Sequence, residues 1–179
     1  MRYNNDILRC LHGELYDIMR EVVRVCDKAD IPYFIQGGTA IGVHFFEDIV
    51  PWDDDVELGM TRDNYERFLR EAPSLLGEEY LLQEFTTEPD TPFYFAKVRK
   101  RGTRFVESEW CGLPIEGGIY IDIFPYDLIP DNVALQRRQR RRVRFWINCF
   151  MAKSVWLWRW FGKSNNGVTF PKSLLSCAA

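Results

Sequence analysis

Histidine is scarce in this chain of 179 residues: only His12 and His44 occur, and the five cysteines (Cys10, Cys26, Cys111, Cys149, Cys177) include no C-x-x-C pair. That argues against a zinc site, and an odd cysteine count with such spacing is no disulfide framework; reduced, buried thiols in a cytoplasmic protein are the expectation. No basic-then-apolar leader opens the chain, so nothing marks it for secretion. No uninterrupted apolar run approaches the ~20 residues that a bilayer requires: Asn148, Lys153, Ser154 and Arg159 break up the most apolar stretch. Repeats and low-complexity segments are also missing. Acidic residues all but vanish after residue 130, where Asp131 faces ten Lys/Arg, although the whole chain carries a net charge of −3. The body is therefore strongly acidic and the tail strongly basic, and the two meet different surroundings.

What is present is an ordinary globular composition, 46% hydrophobic and 27% charged, long enough for one domain with a proper core. Residues 1–130 read as a catalytic core and 131–179 as a basic, aromatic-rich helical tail. Asn4-Asn5-Asp6 offers an N-cap, and Ile7, Leu8, Leu11, Leu15, Ile18, Met19, Val22 and Cys26 recur at helical spacing. Tyr33-Phe34-Ile35-Gln36 reads as a short strand, Gly37-Gly38 as a turn, and Thr39 as the cap of a second helix. Residues 61–69 start a third helix. Strands are expected at residues 80–82, 93–98 and 119–124, the last halted by Pro125.

The densest chemistry lies at Pro51-Trp52-Asp53-Asp54-Asp55-Val56-Glu57. Four carboxylates in five positions repel one another and are costly to desolvate, which a structure tolerates where cations sit; hard oxygen ligands suit Mg²⁺ or Mn²⁺. A solvated turn, a set of Asx turns or a structural Ca²⁺ loop fits an acidic run equally well. The continuation into Leu58-Gly59-Met60 distinguishes them, because it reads as a strand entered from a loop. In that strand Asp55 and Glu57 share a face ~6.5–7 Å apart, a spacing that can serve two metal ions roughly 3.5–4 Å from each other. Upstream, Gly37-Gly38 is the kind of helix-opening turn whose N–H groups approach phosphate. Asp122, alone among the aromatic and β-branched residues of its strand, is either an edge residue or the third carboxylate of such a site.

These blocks carry a resemblance. Gly37-Gly38-Thr39-Ala40-Ile41-Gly42, the Pro-Trp-Asp-Asp-Asp run through Met60, Asp63-x-Tyr65, Lys97-x-Arg99 and Ile121-Asp122-Ile123-Phe124-Pro125 follow one another as in the LicD family of phosphocholine-type transferases, related to the fukutin proteins. The resemblance implies an α+β nucleotidyltransferase (DNA polymerase β-like) fold, with a small mixed sheet backed by helices. It implies Mg²⁺ or Mn²⁺ on Asp55, Glu57 and Asp122 with Asp53 beside them, and a donor held by Gly37, Gly38 and Thr39, with Lys97 on its pyrophosphate. The implied reaction moves a phosphocholine-type group from a CDP-linked donor such as CDP-choline to a hydroxyl of a cell-surface glycan, as in lipopolysaccharide or teichoic acid synthesis. The chain departs from the family pattern at Glu57, where Asp is usual, and at Phe45-Phe46, where an Arg-His pair is usual. Family members also commonly continue past this chain's length. A nucleotidyltransferase acting on a small molecule or RNA, and a non-catalytic, membrane-docked member of the fold, are the rival readings.

Two basic segments remain. Residues 99–104 read as a solvated hairpin turn. In the tail, six arginines between Arg137 and Arg144 lead into Val143, Trp146, Ile147, Phe150, Met151, Val155 and Trp158 at 3–4 spacing, a basic amphipathic helix. It fits a core helix with a solvated arginine face, or an anionic membrane surface with Trp156, Trp158 and Trp160 at the interface, at the inner face of the membrane; nucleic acid ranks last.

Overall fold

The computed structural model describes residues 5–106 and 114–151. Cys111, Cys177, Val155 and the tryptophans at 156, 158 and 160 lie outside these residues. The elements run α1 (Asn5–Ala29), β1 (Phe34–Ile35), α2 (Gly37–Phe46), β2 (Glu57–Thr61), α3 (Arg62–Leu75), β3 (Tyr80–Gln83), β4 (Ala96–Lys100), β5 (Tyr120–Tyr126) and α4 (Val133–Met151). The expected α+β class holds: five strands form one mixed sheet in the order β1-β2-β5-β4-β3, with β2 and β5 parallel and the other neighbours antiparallel.

Alternation along the strands gives this sheet two different faces. One face presents Leu58 and Met60, Ile121 and Ile123, Ala96 and Val98, and Leu82, all buried. It is covered by α1 through Leu8, Leu11, Leu15, Ile18 and Val22, and by α3 through Tyr65, Phe68 and Ala72. Those positions repeat at three and four, which stacks them as one stripe on each helix. The other face carries Glu57, Asp122, Lys97 and Gln83, brought into one row by the registers Glu57↔Asp122, Lys97↔Asp122 and Gln83↔Lys97.

Three local expectations are corrected. Gln36, not Thr39, stands at the N-cap of α2; the Thr39 hydroxyl instead accepts the N–H of Glu57 at 2.8 Å, tying α2 to the start of β2. Pro125 does not halt β5, which continues to Tyr126. Beyond Ile123 the β4 ladder has already ended, so the N–H that proline lacks has no partner there to lose. The strand expected from residue 93 begins at Ala96, after an aromatic segment in which Phe95 stacks on Phe124 at 4.2 Å. Of the cysteines described, Cys26 is buried, with its thiol pushed up to about 12 by burial, Cys149 is partly buried and Cys10 is exposed.

Two glycines separate close approach from mere flexibility. A Cβ on Gly42 would meet backbone atoms of the α2–β2 connection, Asp48 O at 2.5 Å and Val50 N at 3.0 Å, whereas one on Gly13 in α1 meets nothing within 4 Å. Gly42→Ala is therefore expected to lower stability by about 1–3 kcal/mol, the usual cost of overpacking. Gly13→Ala is expected to raise it by up to ~1 kcal/mol through helix propensity. Urea unfolding of both variants checks this pair, and equal shifts would dissolve the distinction.

Candidate active site

The site gathers where the N-terminus of α2 meets the start of β2. Gly37 takes φ +55°, a left-handed conformation suited to glycine. The N–H of Gly38 then donates to Glu57 Oε2 at 2.8 Å. A Cβ on Gly37 would fall on the Glu57 carboxylate, and one on Gly38 would lie 2.5 Å from Asp53 Oδ2. The glycine pair thus lets two carboxylates close on the positive end of a helix, where amides and dipole both favour negative charge. Glu57 is the first residue of β2, and its N–H is held by Thr39.

Residues 53–56 lead into β2. Asp53 donates its N–H to Val50 O, its carbonyl is 2.9 Å from His12 Nε2, and its Oδ1 accepts the N–H of Asp54 at 3.2 Å. One carboxylate oxygen from each of Asp53, Asp54 and Asp55 can be chosen so that all lie within 4.8 Å of one another. Burial and the neighbouring carboxylates of Asp53, Asp122, Glu57 and Asp54 push Asp55 from 3.8 to about 7. So much negative charge at one place is what a divalent cation neutralises, and the oxygen-only donor set suits Mg²⁺ or Mn²⁺.

Asp122 sits opposite Glu57 on β5, and its N–H donates to Val56 O at 2.9 Å. It is no edge residue: β5 lies between β2 and β4, and Asp122 is 6% exposed. Its Oδ1 is 2.9 Å from Lys97 Nζ, and the Lys97 side chain is 1% exposed. Lys97, expected at a donor pyrophosphate, is turned into the sheet in this structure. Its ammonium faces Asp122 and three rings, 3.4 Å from the centroid of Tyr120, 4.3 Å from Phe93 and 5.4 Å from Phe95.

The proposed residues thus fall into three neighbouring groups: the aspartate cluster, Glu57 on the α2 amides, and Asp122 on Lys97. Two participants escaped the sequence reading. Asp54, counted in the acidic run but left out of the metal set, joins the aspartate cluster. Arg99, read as part of a solvated turn, is buried, donating to Gln83 Oε1 and Gly118 O at 2.6 Å each and lying 4.7 Å from the Tyr120 ring. Its signal was present in the alternation of Lys97 and Arg99 along one strand face.

The family model described as LicD/FKTN/FKRP, nucleotidyltransferase domain, matches residues 30–176, which contain every residue of this site. The chain belongs to the LicD family. Among LicD relatives, it is 29% identical to the lipopolysaccharide cholinephosphotransferase LicD of Haemophilus influenzae over 133 residues, 68% of this chain and 46% of that protein. It is 34% identical to the ribitol 5-phosphate transferase FKRP of human and of mouse over 85 residues, 45% of this chain and 17% of each relative. The chain therefore spans less than half the length of these LicD relatives.

The raised Asp55 pKa fixes a sign for stability. The folded state binds a proton that the unfolded state has already released, so this contribution is present below pH 3.8 and is lost as pH rises through about 7. In chelator, thermal stability should fall over that interval, and Asp55→Asn should flatten the fall. Mn²⁺ or Mg²⁺ at pH 7.5 should raise the melting temperature of the wild type more than that of Asp55→Asn. Equal metal-induced shifts in both would take Asp55 out of the metal site.

Proposed function

We propose that this chain forms the metal-binding part of a transferase that moves a phospho-alcohol group, of the phosphocholine type, from a CDP-linked donor to a glycan hydroxyl. The observation that carries this reading is the carboxylate cluster closed on the amide end of α2, within a region matched by the LicD family model. The names of the relatives, a cholinephosphotransferase and a ribitol 5-phosphate transferase, share the phospho-alcohol as the group moved.

In this reading Asp53, Asp55, Glu57 and Asp122 hold Mg²⁺ or Mn²⁺, with Asp54 in reach of the same cluster. A divalent cation there supplies positive charge against the phosphoryl oxygens and the leaving CMP. Gly37 and Gly38 present backbone amides to the donor phosphates once the Glu57 carboxylate turns from them. The acceptor oxygen attacks the phosphorus that bears the alcohol, the bond from that phosphorus to the CMP oxygen breaks, and CMP departs with its electron pair. Asp122 helps to take up the proton released by the acceptor hydroxyl.

The test is CMP release from CDP-choline, CDP-ethanolamine and CDP-ribitol with Mg²⁺ or Mn²⁺ and a glycan acceptor. Asp55→Asn should lower it at least ~100-fold, the scale for losing a group that answers transition-state charge. Unchanged turnover would remove the central assignment. The family model's own description as a nucleotidyltransferase domain favours a second reading, NMP transfer to a small molecule or RNA. With a nucleoside triphosphate as donor, pyrophosphate release would establish that one, and cation binding without either product would mark a non-catalytic member.

The same proposal extends to α4. Asn132 caps it through Oδ1 to the N–H groups of Ala134 and Leu135, and the helix carries six arginines and no acid. Val143, Phe145 and Trp146 are each about half exposed, and no helix among the described residues is long and apolar enough to cross a membrane. This supports docking on an anionic membrane surface, where each arginine contributes ~1 kcal/mol. Anionic vesicles should sediment the protein at low salt and neutral ones should not, and replacing Arg137, Arg140, Arg141 and Arg144 with Gln should abolish sedimentation. Indifference of the wild type to anionic vesicles would refute docking.

A further inference from the structure

The row Gln83–Lys97–Asp122–Glu57 places a lysine beside the one carboxylate of the site that comes from the middle of the sheet. Such a lysine can serve a phosphoryl transferase in two ways. It can reach out and bind donor phosphate, or it can stay inside and fix another residue. The surroundings decide between them. The ammonium lies between the Tyr120 and Phe93 rings and the Asp122 carboxylate, with its side chain 1% exposed. To meet a donor it would have to leave its cation–π contacts and strip Asp122 of its counter-charge, all from within a closed β-ladder.

We infer that Lys97 is a positioning residue, which pins one oxygen of Asp122 and so aims that carboxylate across the sheet toward the Asp55–Glu57 end of the site. This deepens the functional reading above and rests on it. The rings do the complementary work of holding the ammonium still: a mobile lysine stem would let the carboxylate follow it, and a packed one does not. Gln83 and Arg99 close the far side of the row. Gln83 accepts from Arg99 at 2.6 Å, and its Nε2 donates to the Glu88 carboxylate and to Glu116 O, so the row has no slack toward β3. An ammonium near a cation site also repels the cation. The inference is that the aim it gives Asp122 outweighs that repulsion, and the sign of one measurement decides the matter.

The experiment is a double-mutant cycle of Lys97→Met and Asp122→Asn, read by Mn²⁺ binding in electron paramagnetic resonance, by CDP-choline binding in calorimetry and by urea unfolding. Each single variant removes one charge of the buried pair and loses stability, while the double variant, with neither charge, recovers most of it. Where Lys97→Met does not fold, Lys97→Gln, which keeps a buried donor without the charge, is read against the same outcomes. Lys97→Met is expected to weaken Mn²⁺ binding about tenfold, the scale for losing a residue that orients a metal ligand. It should leave CDP-choline affinity within twofold, and adding it to Asp122→Asn should weaken Mn²⁺ binding no further. Tighter Mn²⁺ binding in Lys97→Met would overturn the inference and make Lys97 a resident counter-charge that competes with the metal. Weaker CDP-choline binding with Mn²⁺ affinity unchanged would overturn it in favour of a donor contact, as would a full effect of Lys97→Met in the Asp122→Asn background. If the expected Mn²⁺ pattern appears in a wild type that releases no CMP, the role of Lys97 stands and the transferase reading falls.

Discussion

Asp122 is a carboxylate placed in the middle of a sheet, and the surrounding structure is arranged to make that tolerable. A buried carboxylate without a counter-charge would neutralise or expel itself. Lys97 supplies the charge from the neighbouring strand at 2.9 Å, and the aromatic residues around Lys97 keep that charge from leaving. The sheet order follows the same need. Only with β5 between β2 and β4 can Asp122 face Glu57 on one side and Lys97 on the other.

The opposite end of the site answers a different constraint. Asp53, Asp54, Asp55 and Glu57 concentrate like charge, and the fold relieves only part of it: Glu57 turns to the Gly38 amide, and Asp53 lies close to the same helix end. The longer side chain of Glu57 permits that reach. Asp55 keeps the remainder as a raised pKa, with the charges of Asp53, Asp122, Glu57 and Asp54 adding to the cost of its burial. The two ends are thus electrostatically distinct, one internally paired and the other in excess, and a cation would find its place at the excess.

Much of this was legible along the chain. The stripes of α1 and α3, the strands at β3 and β5 and the acidic block follow from periodicity and composition, because those signals are local. Where the reading slipped, the deciding partner was distant in sequence. Thr39 looked like a cap because Ser, Thr and Asp commonly are, and Glu57 claimed its hydroxyl. Pro125 looked like a stop, and the earlier end of the β4 ladder removed the reason. Arg99 looked solvated because arginine commonly is, and Gln83, Gly118 and Tyr120 enclose it.

The sequence by itself determined that the chain holds a carboxylate cluster and a glycine-opened helix, since each is a contiguous motif whose chemistry is written in adjacent residues. It also determined the basic, acid-free character of α4. Only the tertiary structure decided what each charged group faces. Register across β3, β4, β5 and β2 aligned Gln83, Lys97, Asp122 and Glu57 from four separate segments, and burial turned Lys97 inward. A lysine four carbons long can point to solvent or to the interior from the same backbone position. Which of these is lower in free energy depends on the rings and the carboxylate around it, and strand pairing is what brings them there.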